Sequence, residues 1–294
     1  MIVLGILGVA VLFLGMVMAV TLFFLDSSSG FSFSNKIGVI QIEGAIADSG
    51  PIVNQLVEFK KNNGIKAIIL RIDSPGGGVG ASQEIYTEVL RTTRTKKVVV
   101  SLGSVAASGG YYIASAGDKI IANPGTITGS IGVIMEFIQV GELLKKIGIS
   151  LEVLKSGEFK DTGSPHRELT EREKELVKNL IYEIQEQFIR AVAAGRKIPV
   201  EKVREIADGR IISGASAKEL GLVDQLGNFQ DAVDLAKKIS GLKGDVNLVF
   251  PKGRRIRLWD LLFQNISRAV EKSIIGGLKT KIEYRWNGLP RSLD

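Results

Sequence analysis

The stretch Ala67-Ile68-Ile69-Leu70-Arg71-Ile72-Asp73-Ser74-Pro75-Gly76-Gly77-Gly78, followed by residues 81–91, decides the fold. It reads as an apolar strand ending at Asp73, a glycine loop and a helix. Glycines after a strand let backbone amides approach a ligand closely. Such amides stabilise a negative oxygen where water is excluded. A phosphate cradle is the rival reading, but the loop lacks the Lys-Ser/Thr that ends a P-loop. The plain alternative is a tight turn at a sheet edge.

Outward from this unit the pattern recurs. Residues 37–42, 98–102, 151–154 and 246–250 read as strands, and 120–121 and 126–134 as extended chain. Residues 52–61, 140–146, 170–196, 200–207, 215–220 and 230–239 read as helices. Val/Ile/Leu strands alternating with helices predict an α/β fold of βαβ units, with a mainly parallel sheet covered on both faces. Thr170 with Glu173 three residues later predicts a capping box on the long helix.

A second motif follows the strand at 98–102: Gly103-Ser104-Val105-Ala106-Ala107-Ser108-Gly109-Gly110-Tyr111-Tyr112. It reads as a small-residue loop and a short helix starting at Ser108. There Ser108 meets the positive end of the helix dipole, and Gly109 offers an amide to the same oxyanion. The bland alternative is that Ser108 only caps the helix. If it is a nucleophile, its base comes from a short roster. The chain has one His and no Cys, which excludes a disulfide scaffold, a thiol nucleophile and a zinc site built on Cys or several imidazoles. His166 would make a Ser-His-Asp triad if it lies beside Ser108 and a carboxylate orients it. Lys160, in Lys155-Ser156-Gly157-Glu158-Phe159-Lys160-Asp161, would make a Ser-Lys pair.

A free lysine has a pKa of about 10.4, and burial must bring it to roughly 7–8 before it serves as a base. A neutral amine is then held by hydroxyls. Ser130, in Thr128-Gly129-Ser130-Ile131-Gly132, is the candidate. Pairing with Asp161 would instead keep Lys160 charged. The alternative for Lys160 is an exposed surface lysine.

Residues 2–25 carry no charge and no Pro. As a helix they span roughly 36 Å, against about 30 Å of bilayer hydrocarbon. They are expected to form a transmembrane anchor (1–25), tethered by a Ser/Gly/Phe linker (26–35) to a domain at 36–250. A cleaved signal peptide is the alternative. Charge barely specifies orientation, because no Lys or Arg precedes Lys36. Of the net charge of +7, residues 251–294 supply +6. This basic segment, with helical apolar spacing across 258–278, suits anionic lipid headgroups or docking onto the sheet or a neighbouring subunit. No nucleic-acid motif is present.

Together these motifs resemble the signal peptide peptidase SppA family, membrane-anchored serine peptidases with a ClpP/crotonase-like fold. Asp73–Gly78, Ser108–Tyr112, Thr128–Gly132 and Lys155–Asp161 carry the resemblance, with Ala207-Asp208-Gly209-Arg210 and Gly221-Leu222-Val223-Asp224 as further matches. The resemblance implies Ser108 as nucleophile, Lys160 as general base and Ser130 as the serine holding the lysine amine. It implies Gly109 and Gly77 as oxyanion-hole donors, with Gly76 the near alternative to Gly77. It further implies peptide substrates, chiefly remnant signal peptides, cut on the outer side of the cell membrane by a single-pass protein. Dome-like homo-oligomeric rings and independence from ATP, metal and organic cofactor are also expected. Two alternatives remain: an NfeD-type peptidase acting on a partner membrane protein, and a non-peptidase crotonase-like enzyme or scaffold.

Overall fold

The computed structural model describes residues 14–18, 35–251 and 281–285. Among these, no helix is long and apolar enough to cross a membrane. The anchor expected at 1–25 lies outside them save for helical residues 14–18, and the amphipathic stretch 258–278 lies outside them altogether.

The order of elements is β1 (Asn35–Glu43), α1 (Gly50–Lys61), β2 (Ile65–Ser74), β3 (Gly76–Gly78), α2 (Val79–Thr93), β4 (Lys97–Ala107), α3 (Gly109–Ala114), β5 (Lys119–Ala122), β6 (Ile127–Gly129) and β7 (Ile134–Glu136). There follow α4 (Gly141–Lys146), α5 (Glu171–Arg196), α6 (Val200–Arg204), β8 (Ile211–Ser213), α7 (Gly214–Glu219), β9 (Gln225–Leu226), α8 (Phe229–Ile239), β10 (Val246–Val249) and β11 (Lys281–Arg285). The main sheet runs β10-β1-β2-β4-β5-β9, every neighbour parallel. β6 extends β4 in parallel, and β8 joins β6 antiparallel. A separate small sheet has the order β3-β11-β7.

Strand periodicity explains the layering. Ile68, Leu70 and Ile72 of β2 face the larger core with Ile40, Val98 and Val100. Ala67 and Ile69 face the smaller one with Val39 and Val99, under Ala232, Val233 and Ala236 of α8. Burying each large aliphatic side chain contributes about 1.5–3 kcal/mol. Arg71 fits within this strand because its guanidinium donates to Ser101 Oγ (2.9 Å) and the Leu102 carbonyl (3.1 Å).

Two expectations change. The small residues 103–107 are not a loop but the continuation of β4. The Asp73 carboxylate accepts from the amide of Val105 at 3.0 Å across a register shift, and Ser74 then pairs with Ala106. Residues 151–154 are not a strand. Their composition suits one, but no ladder partner lies alongside among the described residues, and Leu151 and Leu154 are 59% and 91% exposed. The capping box forms as read: Thr170 Oγ1 accepts from Glu173 N, and Thr170 N donates to the Glu173 carboxylate at 2.8 Å.

Candidate active site

β4 delivers Ser108 into the turn before α3. There its backbone takes φ 53° and ψ −118°, a conformation that a residue with a Cβ adopts at a cost of about 1–3 kcal/mol. Two hydrogen bonds hold it: Ser108 N donates to Gly129 O (2.9 Å), and Tyr112 N donates to Ser108 O (2.8 Å). The side chain makes no capping bond, so the capping alternative fails. Among the described residues its hydroxyl is buried without a hydrogen-bond partner. A strained strand-to-helix turn presenting an unengaged hydroxyl is the geometry of a nucleophile.

The glycine loop packs against this turn. Ile46 N donates to Gly76 O (2.9 Å), and Gly78 N donates to Ile46 O (2.8 Å). Strand alternation therefore turns the N–H of Gly77 the other way, toward Tyr284, its partner in β11. A Cβ on Gly109 would sit 3.2 Å from both Gly77 N and the Tyr284 carbonyl oxygen. One on Gly76, where φ is +102°, would overlap that oxygen and lie 2.7 Å from Gly109 N. The amides of Gly77 and Gly109 and a peptide carbonyl thus cluster beside Ser108, which is what oxyanion stabilisation needs.

Ser130 follows Gly129 in a second left-handed turn, with φ 50°. The parallel register pairs Ala107 with Gly129, so Ser108 and Ser130 are the next residues on adjoining strands. Ser130 is 6% exposed, and its amide donates to Arg210 O at 2.8 Å.

Lys160 does not join them within the chain. It is exposed, and among the described residues its amine has neither a hydrogen bond nor an ion pair. Asp161 is engaged elsewhere: Lys155 reaches it at 2.6 Å and Arg167 at 2.8 Å. Arg167, ahead of Lys155, holds the Asp161 carboxyl well below the usual carboxylate range. Arg167 also bridges to Glu173 at 2.6 Å and, with the Thr170 amide, brings that carboxyl down to about 2. His166 Nδ1 lies 2.6 Å from Ser164 Oγ. His166 lines a cavity with Leu143, Leu151, Lys155 and Asp161, to which Ser108 does not contribute. The structure thus brings Ser108, Ser130, Gly77 and Gly109 together, and leaves His166 and Lys160 apart from Ser108.

Save for Tyr112 itself, the aromatic cluster beside Ser108 lies outside the motifs read from the sequence. The Tyr284 ring, fully buried, stacks on Tyr112 (5.2 Å between centroids) and tilts against Phe188 (4.7 Å). Its hydroxyl donates to the Ile184 carbonyl at 3.2 Å. Burial pushes the Tyr112 phenol up to about 12. The available signal was Tyr112 itself, inside the Ser108 motif.

The pattern of "Peptidase family S49" matches residues 91–243, which hold Ser108, Ser130 and Lys160. The "Putative protease slr0021" of Synechocystis sp. is 46% identical over 215 residues, 73% of this chain and 78% of that protein. The chain belongs to peptidase family S49. Within it, the "Putative signal peptide peptidase SppA" of Enterococcus faecium is 36% identical over 70% of this chain and 64% of its own. "Protease 4" of Haemophilus influenzae is 34% identical over 92% of this chain, which spans only 45% of that protein. The "Clp protease" pattern matches residues 31–126, in keeping with a ClpP-like α/β fold. A ClpP1 mutant from Listeria monocytogenes aligns with a TM-score of 0.46 and 20% identity, over 66% of this chain and 94% of that one. As a member of this SppA-containing family, the protein is a serine endopeptidase.

Proposed function

We propose that Ser108 and Lys160 form the catalytic dyad of a membrane-anchored endopeptidase that degrades remnant signal peptides. The observation that carries the reading is the Ser108 hydroxyl, buried and unpartnered at a strained turn beside the Gly77 and Gly109 amides. Neutral Lys160 takes the Ser108 proton, and the alkoxide attacks the peptide carbonyl. The two amides hold the oxyanion, and Lys160 then protonates the leaving amine and activates water. Ser130 holds the amine of Lys160.

A lysine base requires burial, and Lys160 is exposed in the single chain. It follows a run of exposed apolar residues that includes Leu143, Ile147, Leu151 and Leu154. Exposed apolar side chains in such number favour association. Association of copies, as in a ring, would cover Lys160 and bring it to a Ser108. The apolar run at 2–25 would anchor the assembly where cleaved signal peptides remain, with the domain on the outer side. The test is hydrolysis of an apolar peptide by the full chain in detergent. Ser108→Ala and Lys160→Ala are each expected to lose nearly all activity. Robust turnover by Lys160→Ala would overturn the dyad.

A further inference from the structure

We infer that Ser82 is a third hydrogen-bond donor to the oxyanion, beside the amides of Gly77 and Gly109. The inference rests on Ser108 being the nucleophile. It adds to that reading a side chain that acts only while the peptide carbonyl is under attack.

Ser82 lies in the first part of α2, just after the glycine loop, and is fully buried. A hydroxyl within a helix ordinarily donates to a carbonyl three or four residues back. Thr87 does so to Gln83 O (2.8 Å), Thr92 to Glu88 O (2.8 Å) and Thr93 to Leu90 O (2.9 Å), all in α2. Ser82 does not. Among the described residues, three buried side-chain polar atoms lack a hydrogen-bond partner, and two of them are Ser82 Oγ and Ser108 Oγ. The third belongs to Ser240, which ends α8 over the smaller core.

Gly109 brings the first two together. It follows Ser108 directly, and a Cβ on it would sit 2.6 Å from Ser82 Oγ and 3.2 Å from Gly77 N. Its φ is not left-handed, so what demands glycine here is space. The missing side chain leaves the Ser82 hydroxyl and the Gly77 amide on one open side of Gly109. An unpaired buried hydroxyl lowers stability, and its persistence calls for a partner at another stage. The tetrahedral oxygen is that partner. A donor free in the resting protein and bonded in the transition state raises kcat rather than tightening substrate binding. The hydroxyl keeps its proton throughout, and no covalent bond to Ser82 forms or breaks. Ser82 is no rival nucleophile, since it sits in regular helix without the left-handed turn of Ser108.

Ser82→Ala in the full chain, purified in detergent, tests this on apolar peptides with alanine, leucine or tyrosine ahead of the cut. For every peptide that wild type cleaves, kcat is expected to fall about a hundredfold, the scale of losing one oxyanion donor, with KM nearly unchanged. A peptide aldehyde, whose adduct with Ser108 carries the same oxyanion, should bind more weakly by a similar factor. The melting temperature should hold or rise, because the hydroxyl removed has no partner in the resting protein. Wild-type kcat in Ser82→Ala overturns the inference and spares Ser108. So does a loss that differs at least about tenfold between peptides, which would place Ser82 in a side-chain pocket. A lowered melting temperature with unchanged aldehyde affinity would make its role structural and overturn the inference as well. A wild type inert toward all three peptides overturns it together with the nucleophile.

Discussion

The amide of Ser108 donates to the carbonyl of Gly129 at 2.9 Å, so the nucleophile's turn and the turn carrying Ser130 are built as one unit. Both serines take left-handed φ values, 53° and 50°. Among the described residues one other non-glycine does so, Lys197, and it is the left-handed cap of α5. The strain without a capping explanation therefore falls on the two serines that the motifs pick out. Strain of this kind persists where surrounding structure over-determines it, and it clusters at functional sites.

Removing the Ser130 hydroxyl tests the unit without disturbing its backbone, since alanine meets the same steric cost at φ 50°. Ser130→Ala is expected to keep the fold and to lower kcat about a hundredfold, because the lysine loses the hydroxyl that holds it neutral and aimed. KM should move little. Steady-state kinetics and circular dichroism decide it. Wild-type kcat in the folded variant would remove Ser130 from the mechanism.

The identity of the base is read from pH. A lysine must lose its proton before it can accept one from Ser108, so the rate should climb with pH and peak in the alkaline range. An imidazole would place the limb near pH 6–7. His166 is bonded to Ser164, so His166→Ala should leave the kcat/KM profile unchanged. A limb that vanishes in His166→Ala would restore the triad.

Much of this was legible because burial writes itself into composition. β2 is covered on both faces, so its aliphatic run announced a parallel strand, and Thr170 with Glu173 announced the start of α5. Residues 103–107 misled because small residues resemble a loop, whereas their strand is held by the Asp73 carboxylate, a contact invisible locally. The φ of Ser108 leaves no trace in residue type, since serine gives no sign of a left-handed turn. Within the basic segment at 251–294, the helical spacing of 258–278 masks the shorter run Lys281-Ile282-Glu283-Tyr284-Arg285. That run alternates charged and apolar residues with strand period, and it forms β11.

Gly76 and Gly80 form a matched pair. At Gly76 a methyl group would face both a φ of +102° and overlap with the carbonyl held beside Ser108. At Gly80, in α2, a methyl group meets nothing within 4 Å. Gly76→Ala is expected to lower kcat/KM at least about a hundredfold, the scale of losing an oxyanion contact. Gly80→Ala should leave activity intact and add about 0.5–1 kcal/mol of stability. Peptide kinetics and thermal melts measure both. Equal activity in the two variants would argue against the glycine loop as the oxyanion site.

The exposed apolar run makes its own demand. Leu143 and Leu151 are each 59% exposed, and a charge at either position costs little in an isolated chain. If copies meet there, Leu143→Glu and Leu151→Glu should shift the protein to smaller species in analytical ultracentrifugation and cut activity at least about tenfold. Thermal stability measured below the association range should stay within about 0.5 kcal/mol. Unchanged sedimentation with full activity would place the subunit contact elsewhere.

The Arg167 cluster fixes how the segment after Lys160 responds to acid. Arg167 bridges Asp161 and Glu173, and the Glu173 carboxyl titrates near 2, below its ordinary 4.5. A depressed carboxyl binds its proton more readily in the unfolded chain. Its stabilisation is therefore complete above about pH 4.5 and is lost as pH falls through about 2. Asp161 shifts in the same direction and adds to the same acid limb. Glu173→Gln keeps an acceptor for the capping box but removes the ion pair. It should lower Tm by a few degrees at neutral pH, and its gap from wild type should close between pH 4.5 and 2, since protonated Glu173 resembles glutamine. A gap that stays constant down to pH 2 would mean that Arg167 does not hold Glu173 ionised.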